Sequence, residues 1–387
     1  MGQIFNLAYY EMRHILRNKI LFLMVFIVPL GYAFLFGTVY MAGVLTDIPL
    51  GMVDLDQTPL SREVVDAFAS SPNFEIVEGV DTYAGLEKGM REGVIRAGVV
   101  IPENFQRDTV KQKGTQVLTV YDGSNLIWGL NTRKYALEAV NEFTIGHASA
   151  FMAGMGMGEK EIRNTLDMVS VNLEYWYNPT FNYTTFLFMG IILMVIHQIG
   201  LLSVSLTVAR EKEQNSWIQY VGSVIPRWKI FVGKCLPYFA ASFFNYALLL
   251  WFSARYVNVK MEGSMPLILL MGLLFVTIIT ALGFFISVHS SSSLQITRYI
   301  MLLSIPMFMI SGFVWPPSHI PKVLNKFAKL LPYTWMANAF RMVTVKGLGL
   351  EYLHVHLTVL AAMAILSIAL ALSFNKRRSN QGDGLFG

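Results

Sequence analysis

Residues 183–208 read YTTFLFMGIILMVIHQIGLLSVSLTV, and residues 209–213, directly after them, read AREKE. The first stretch carries no Asp, Glu, Lys or Arg; the second is charged at every position but one. A helix crosses the hydrocarbon core of a bilayer with about 20 apolar residues. The junction therefore predicts a membrane span that ends abruptly in a dense charge cluster. Working outward, the other uncharged runs are 20–46, 235–254, 263–297, 299–321 and 352–375. Six transmembrane helices follow, placed at Ile20–Met41, Tyr183–Val208, Leu236–Ala254, Pro266–Val288, Leu294–Val314 and His354–Phe374. The polar turn His289–Ser293 separates the fourth from the fifth.

Composition agrees. Of 387 residues, 54% are hydrophobic and 14% are charged, against about 25% charged in an average soluble domain. This excludes a disordered chain and argues against an ordinary soluble enzyme. The single cysteine, Cys235, allows neither an intrachain disulfide nor a cysteine-based metal site. The first uncharged run follows Arg13, Arg17 and Lys19, as in a secretory signal, but it exceeds the 7–15 residues or so of a signal core and has no small-x-small site near Met41. It is read as a retained span. Before it, Ile4, Leu7, Ala8, Met12 and Ile15 recur at helical spacing, with Glu11, Arg13 and Arg17 taken to lie elsewhere on the wheel. Residues 1–19 are thus expected to form a cytoplasmic amphipathic helix lying in the membrane interface.

Basic residues collect on the cytoplasmic side. With the N-terminus inside, 12 Lys and Arg fall in the short inner segments and 7 in the short outer ones, which favours both termini in the cytoplasm. Residues 43–182 then lie outside. They alternate strand-like and helix-like stretches: strands at Ile48–Asp54, Phe74–Val77, Arg96–Ile101 and Thr115–Tyr121, and a helix capped by Thr58-Pro59. The expected fold is a membrane all-α body of six spans with a mixed α/β extracytoplasmic domain inserted after the first. The insert holds 11 basic and 19 acidic residues, so the overall net charge of +5 is a cancellation between an acidic insert and a basic body. Nucleic acid is not an expected partner. Asp54 and Asp56 are read as turn formers.

No phosphate-cradling G-x-x-x-x-G-K-[ST] run is present, since Gly233-Lys234 is followed by Cys235. No nucleophile set or metal-ligand cluster stands out. Three polar side chains fall inside spans: His197 and Gln198 in the second, and Asn245 in the third. Such groups make helix–helix hydrogen bonds or contact a substrate on its pathway. The absence of Asp and Glu from the spans argues against a proton-driven carrier.

The segment after the second span carries Arg210, Glu211, Lys212, Glu213, Trp217, Pro226, Ile230, Gly233, Lys234, Pro237 and Tyr238. Its order resembles the coupling region of ABC exporter permeases of the second type, also called type V. Asn215-Ser216 replaces the family's Gly-Thr, and Gln219-Tyr220 replaces its acidic-x-Leu. A second match follows the fifth span: Ser311, Gly312, Phe313, Pro316, Pro321, Pro332, Thr334 and Arg341, then Lys346-Gly347. The resemblance covers essentially the whole chain. It implies that 209–234 is a cytoplasmic coupling loop contacting an ATPase, and that 316–352 forms outer re-entrant helices at an outer gate. It implies ATP and Mg bound by a separate ATPase chain and none by this one. It also implies a second permease subunit, either identical or a close paralogue, and room for a periplasmic adaptor. The expected site is a bacterial inner membrane, with 377–387 as a cytoplasmic tail, and the expected cargo a hydrophobic or amphipathic small molecule such as a drug or lipid. A non-transporting scaffold or sensor, acting through the outer domain, is the competing reading.

Overall fold

A computed structural model describes residues 2–373 except 42, 112, 125, 167–175, 180 and 181. The predicted basic tail with Lys376, Arg377 and Arg378, and most of the stretch leading into the second span, lie outside the described residues.

Among the described residues, six helices are long and apolar enough to cross a membrane: Lys19–Val39, Thr184–Glu213, Arg227–Arg255, Met265–His289, Ser293–Ile310 and Leu350–Leu372. Each matches one predicted span. Two ends move. The third span begins at Arg227 instead of Leu236, with Pro226 extended immediately before it (φ −60°, ψ 145°). Lysine and arginine are good helix formers, and about 43 Å of helix is longer than an apolar core of about 30 Å. The basic first turns can therefore project beyond the core as a continuation of the same helix. The fifth span stops at Ile310, and Gly312 follows at φ +82°. The expected coupling loop 209–234 accordingly shrinks to the segment between Glu213 and Arg227, which holds only the short helix Trp217–Gly222.

Burial ranks the spans. The second is 78% buried and the fourth 67%, whereas the first, fifth and sixth are 28%, 17% and 22% buried. The second and fourth therefore form the core of the bundle, and the other three turn apolar faces outward. Backbones approach closely where a side chain is missing: a Cβ on Gly272 would stand 2.0 Å from the Tyr246 ring. This is the small-residue packing expected of helices in lipid.

The helix Gly2–Arg17 is amphipathic as expected, with one correction, at Glu11. Its stripe of Ile4, Leu7, Ala8 and Ile15 is turned toward the protein, with Ile15 fully buried. Glu11, expected on another face, lies within that stripe because it is four residues from both Leu7 and Ile15. The outward face instead presents Phe5, Tyr9, Tyr10 and Leu16 beside Arg13 and Arg17.

Residues 44–181 form a separate compact unit. Its sheet has the order β2-β1-β3-β4, with β1 Ile48–Asp54, β2 Phe74–Ile76, β3 Ala97–Ile101 and β4 Leu118–Tyr121. β1 runs parallel to β2 and β3, while β4 is antiparallel to β3. β3 is buried at every residue, as expected for an apolar central strand covered on both faces. One face packs Leu50, Val99 and Ile101 against Leu60, Val64, Phe68 and Tyr135; the other packs Val53 and Val100 against Val80, Leu86 and Ile95. Thr58 and Ser61 form a reciprocal cap on the helix Pro59–Ala69. Asp54 accepts from the N–H groups of Asp56 and Gln57 and from the Ser61 hydroxyl, and Asp56 accepts from Thr58 and from the Gln106 N–H. Both aspartates hold the turn together.

Candidate functional site

The charged run at the end of the second span is the candidate site. Four successive side chains leave one helical turn in different directions, and each reaches a different element. Arg210 Nη2 lies 3.4 Å from Glu11 Oε1 of the N-terminal helix. Glu211 pairs with Lys234 of the third span. Lys212 donates to the carbonyls of Val288 and Ser290, the latter at 3.0 Å, at the end of the fourth span. Glu213 accepts from the Ser293 N–H at 2.7 Å and from the Ser293 hydroxyl at 3.0 Å, at the start of the fifth. The last two contacts follow the helix dipole: a cation sits on a C-terminus and a carboxylate on an N-terminus.

Lys234 is the centre of the network. It is 1% exposed, 3.2 Å from Glu11 Oε2, paired with Glu211, and 4.5 Å from the centre of the Tyr220 ring. The Tyr238 hydroxyl donates to Glu11 Oε1 at 2.9 Å. Glu11 itself is 6% exposed. Two cations and two carboxylates therefore share one buried volume and balance in charge, the arrangement that makes buried ions tolerable. His14, one turn along from Glu11, has its pKa lowered by burial first and then by Arg210 and Lys234, with Glu11 opposing.

Apolar contacts hold this network in register. Trp217, 3% exposed, packs in one cluster with Ile15, Val208 and Ile230. Pro226 starts the third span. Gly233 lets the N-terminal helix approach, since a Cβ there would lie 2.6 Å from Leu7 Cβ and 3.4 Å from the Ile4 carbonyl. The predicted residues Arg210, Glu211, Lys212, Glu213, Trp217, Gly233 and Lys234 thus meet at one end of the bundle. Lys234 is buried, Arg210, Glu211 and Lys212 are half-buried and Glu213 is exposed, and the surface left open also carries Ile218, Val224 and Trp228. Sequence reasoning missed Glu11 and assigned no role to Tyr238 or Tyr220. An acid set in an otherwise apolar helical stripe was the available signal for Glu11.

The second predicted group lies after the fifth span. The Ser311 hydroxyl donates to the Phe308 carbonyl at 2.6 Å, and Asn338 Nδ2 donates to the Ser311 carbonyl at 3.1 Å. Arg341 Nη2 donates to the Phe313 carbonyl at 2.5 Å, with its guanidinium 3.8 Å from the centre of the Phe313 ring and 5.3 Å from that of Phe186. Pro316, Pro321 and Pro332 stand at the starts of the turn Pro317–His319, the helix Lys322–Ala328 and the helix Pro332–Thr344. Proline suits each place because no N–H is needed there.

The three polar residues within spans do not come together. His197 is buried, 5.8 Å from the Phe275 ring and 5.7 Å from the Tyr333 ring, and borders a cavity of about 260 Å³ with Tyr299, Ser304 and Met307. Gln198 is half-buried. Asn245 lines a different, much smaller cavity.

Comparison with known proteins bears on what this arrangement belongs to. The chain is 25% identical to Inner membrane transport permease YhhJ of Escherichia coli (strain K12), over 97% of this chain and 98% of that one. It is 24% identical to Probable multidrug ABC transporter permease YbhS of the same organism, over 95% of each chain. It is 23% identical to Probable multidrug ABC transporter permease YbhR, over 79% of this chain and 80% of that one. The family model described as ABC-2 family transporter protein matches residues 19–373, from the first span to the end of the sixth, so this chain belongs to the ABC-2 family of transporter proteins.

Proposed function

We propose that this chain is the membrane subunit of an ATP-driven exporter, moving a hydrophobic or amphipathic small molecule out of the cytoplasm or the inner leaflet. An ABC permease is not itself an enzyme, and the family in general works with an ATPase partner. In this reading ATP and Mg are bound on that partner. The observation that carries the proposal is the AREKE run, whose four charged side chains link the N-terminal helix and the third, fourth and fifth spans to the end of the second. A load applied at this point is shared by all of them, because moving any one would break a charge pair, with Glu11 or Lys234, or a charge-assisted hydrogen bond, to Val288 and Ser290 or to Ser293. The ATPase would press on the open face around Ile218, Val224 and Trp228, and the linked spans would tilt as a set. The residues around Arg341 would form the outer gate. The network and both termini would be cytoplasmic, and the α/β unit would be outside, in reach of a periplasmic adaptor. The sparsely buried first, fifth and sixth spans leave apolar faces for lipid and for a second, identical or paralogous subunit. The names of the relatives support an inner-membrane location and a drug-like cargo.

The test uses the chain co-purified with its cognate ATPase and reconstituted in vesicles, with a panel of lipophilic dyes. ATP-dependent dye movement is expected, with Glu211→Ala plus Glu213→Ala retaining ATPase binding and losing coupling. Unchanged coupling and export in that variant would remove the role given to the charged run. Dye movement that survives without the ATPase would instead indicate a secondary carrier.

A further inference from the structure

Pro29 sits in the middle of the first span. In an α-helix the carbonyl of residue 25 accepts from the N–H of residue 29, and proline has no N–H. The chain responds locally with a π-helical turn over Leu23–Ile27, in which the Val28 N–H reaches the Leu23 carbonyl. The Val25 carbonyl is taken by another helix: Asn245 Nδ2 of the third span donates to it at 2.6 Å. Only the amide nitrogen can donate, so this bond fixes the orientation of the amide. Asn245 Oδ1 is then buried with no partner among the described residues. The residue is 5% exposed. It borders a cavity of about 10 Å³ together with Pro29, Gly200, Ser203 and Ser242. That volume is about the smallest that holds a single water. The Ser203 hydroxyl spends its proton on the Ile199 carbonyl at 2.7 Å and keeps its lone pairs. The cavity therefore offers a water an acceptor on Asn245, an acceptor on Ser203 and the hydroxyl of Ser242.

We propose that Pro29, the Val25 carbonyl, Asn245 and one water form a single polar joint that sets the position of the first span against the third. Asn245 is a positioning residue here: it acts on a backbone carbonyl whose usual helical donor the sequence removes. Proline creates the need, and asparagine answers it from a helix more than two hundred residues away in the chain. The free side of the amide obliges the pocket to be wet.

The test is a double-mutant cycle on the full chain in nanodiscs, with Asn245→Leu, Pro29→Ala and both. Spin labels introduced at the exposed positions Leu35 and Trp251 report the separation of the first and third spans. Pro29→Ala returns an N–H to the helix, so Val25 no longer needs Asn245. Asn245→Leu is expected to shift or broaden the label separation when residue 29 is proline and to leave it unchanged when residue 29 is alanine. Folding of Asn245→Leu only in the Pro29→Ala background would support the joint equally. The same effect in both backgrounds, including failure to fold in both, would overturn it, as would no effect in either. A high-resolution map should show a water within hydrogen-bond distance of Asn245 Oδ1; an empty cavity there would overturn the water's part in the joint.

Discussion

Lys234→Met is the most informative single perturbation of the charged network. The substitution keeps the length and apolar stem of the side chain and removes only the ammonium. Glu11 and Glu211 would then share the buried volume with Arg210 alone, 3.4 Å from Glu11. The cluster would pass from neutral to a net charge of −1. Removing one partner of a buried pair costs about 3–5 kcal/mol. Lys234 serves two carboxylates and is 1% exposed, so the upper part of that range is expected. A loss of that size lowers the thermal midpoint by at least about 5 °C in a chain of this length. The assay is unfolding in detergent, followed by intrinsic tryptophan fluorescence at a fixed scan rate at neutral pH. Adding Glu211→Gln to Lys234→Met restores neutrality and should recover about half of the loss. A Lys234→Met midpoint within about 2 °C of the wild type, or a double variant no more stable than the single, would refute the view that charge balance holds this end together.

Three further outcomes are expected. Gly233→Ala should destabilise by about 1–3 kcal/mol through overpacking against Leu7, and Leu7→Ala in the same chain should recover part of it, as read by the same melting assay; equal losses with and without Leu7→Ala would refute the close approach. Glu213→Ala should cost about 0.5–2 kcal/mol as the loss of a cap on the fifth span, with Glu213→Gln costing less because its amide oxygen still accepts from Ser293; hydrogen exchange at the Ser293 N–H is the direct readout. For His14 the folded-state pKa is depressed, so its contribution to stability is present above the unfolded value of about 6.5 and is lost as pH falls through the lower folded value. His14→Gln should therefore flatten the fall in midpoint between about pH 7 and 5, measured against wild type; an unchanged slope would show that His14 does not titrate in this way.

Periodicity and charge spacing were enough to find the six spans, since an uncharged run of the right length has few other stable fates. The four sheet strands were found too: Ile48–Asp54 has its expected bounds, while Phe74–Val77, Arg96–Ile101 and Thr115–Tyr121 shorten to Phe74–Ile76, Ala97–Ile101 and Leu118–Tyr121. Span ends were less legible. Arg227, Lys229 and Lys234 suggested loop, yet they lie on a helix that extends past the apolar core. The charged run was found, but the partner of each of its side chains was not legible. Successive residues on a helix point about 100° apart, and what each meets depends on helices whose packing no local pattern encodes.

The sequence by itself determined that this protein belongs in a membrane, which six stretches are long and apolar enough to cross one, where an acidic insert interrupts them, and which family its spaced residues resemble. These depend on local free energies of transfer and on residue order. Only the tertiary structure decided that Glu11 and Lys234 meet across more than two hundred residues, that Gly233 marks the seat of the N-terminal helix, and that Asn245 answers a carbonyl freed by Pro29. Each of these is a pairing of groups whose need is visible locally but whose partner is supplied from a distant segment. Burial is what makes the pairing matter, because water is not there to take the partner's place.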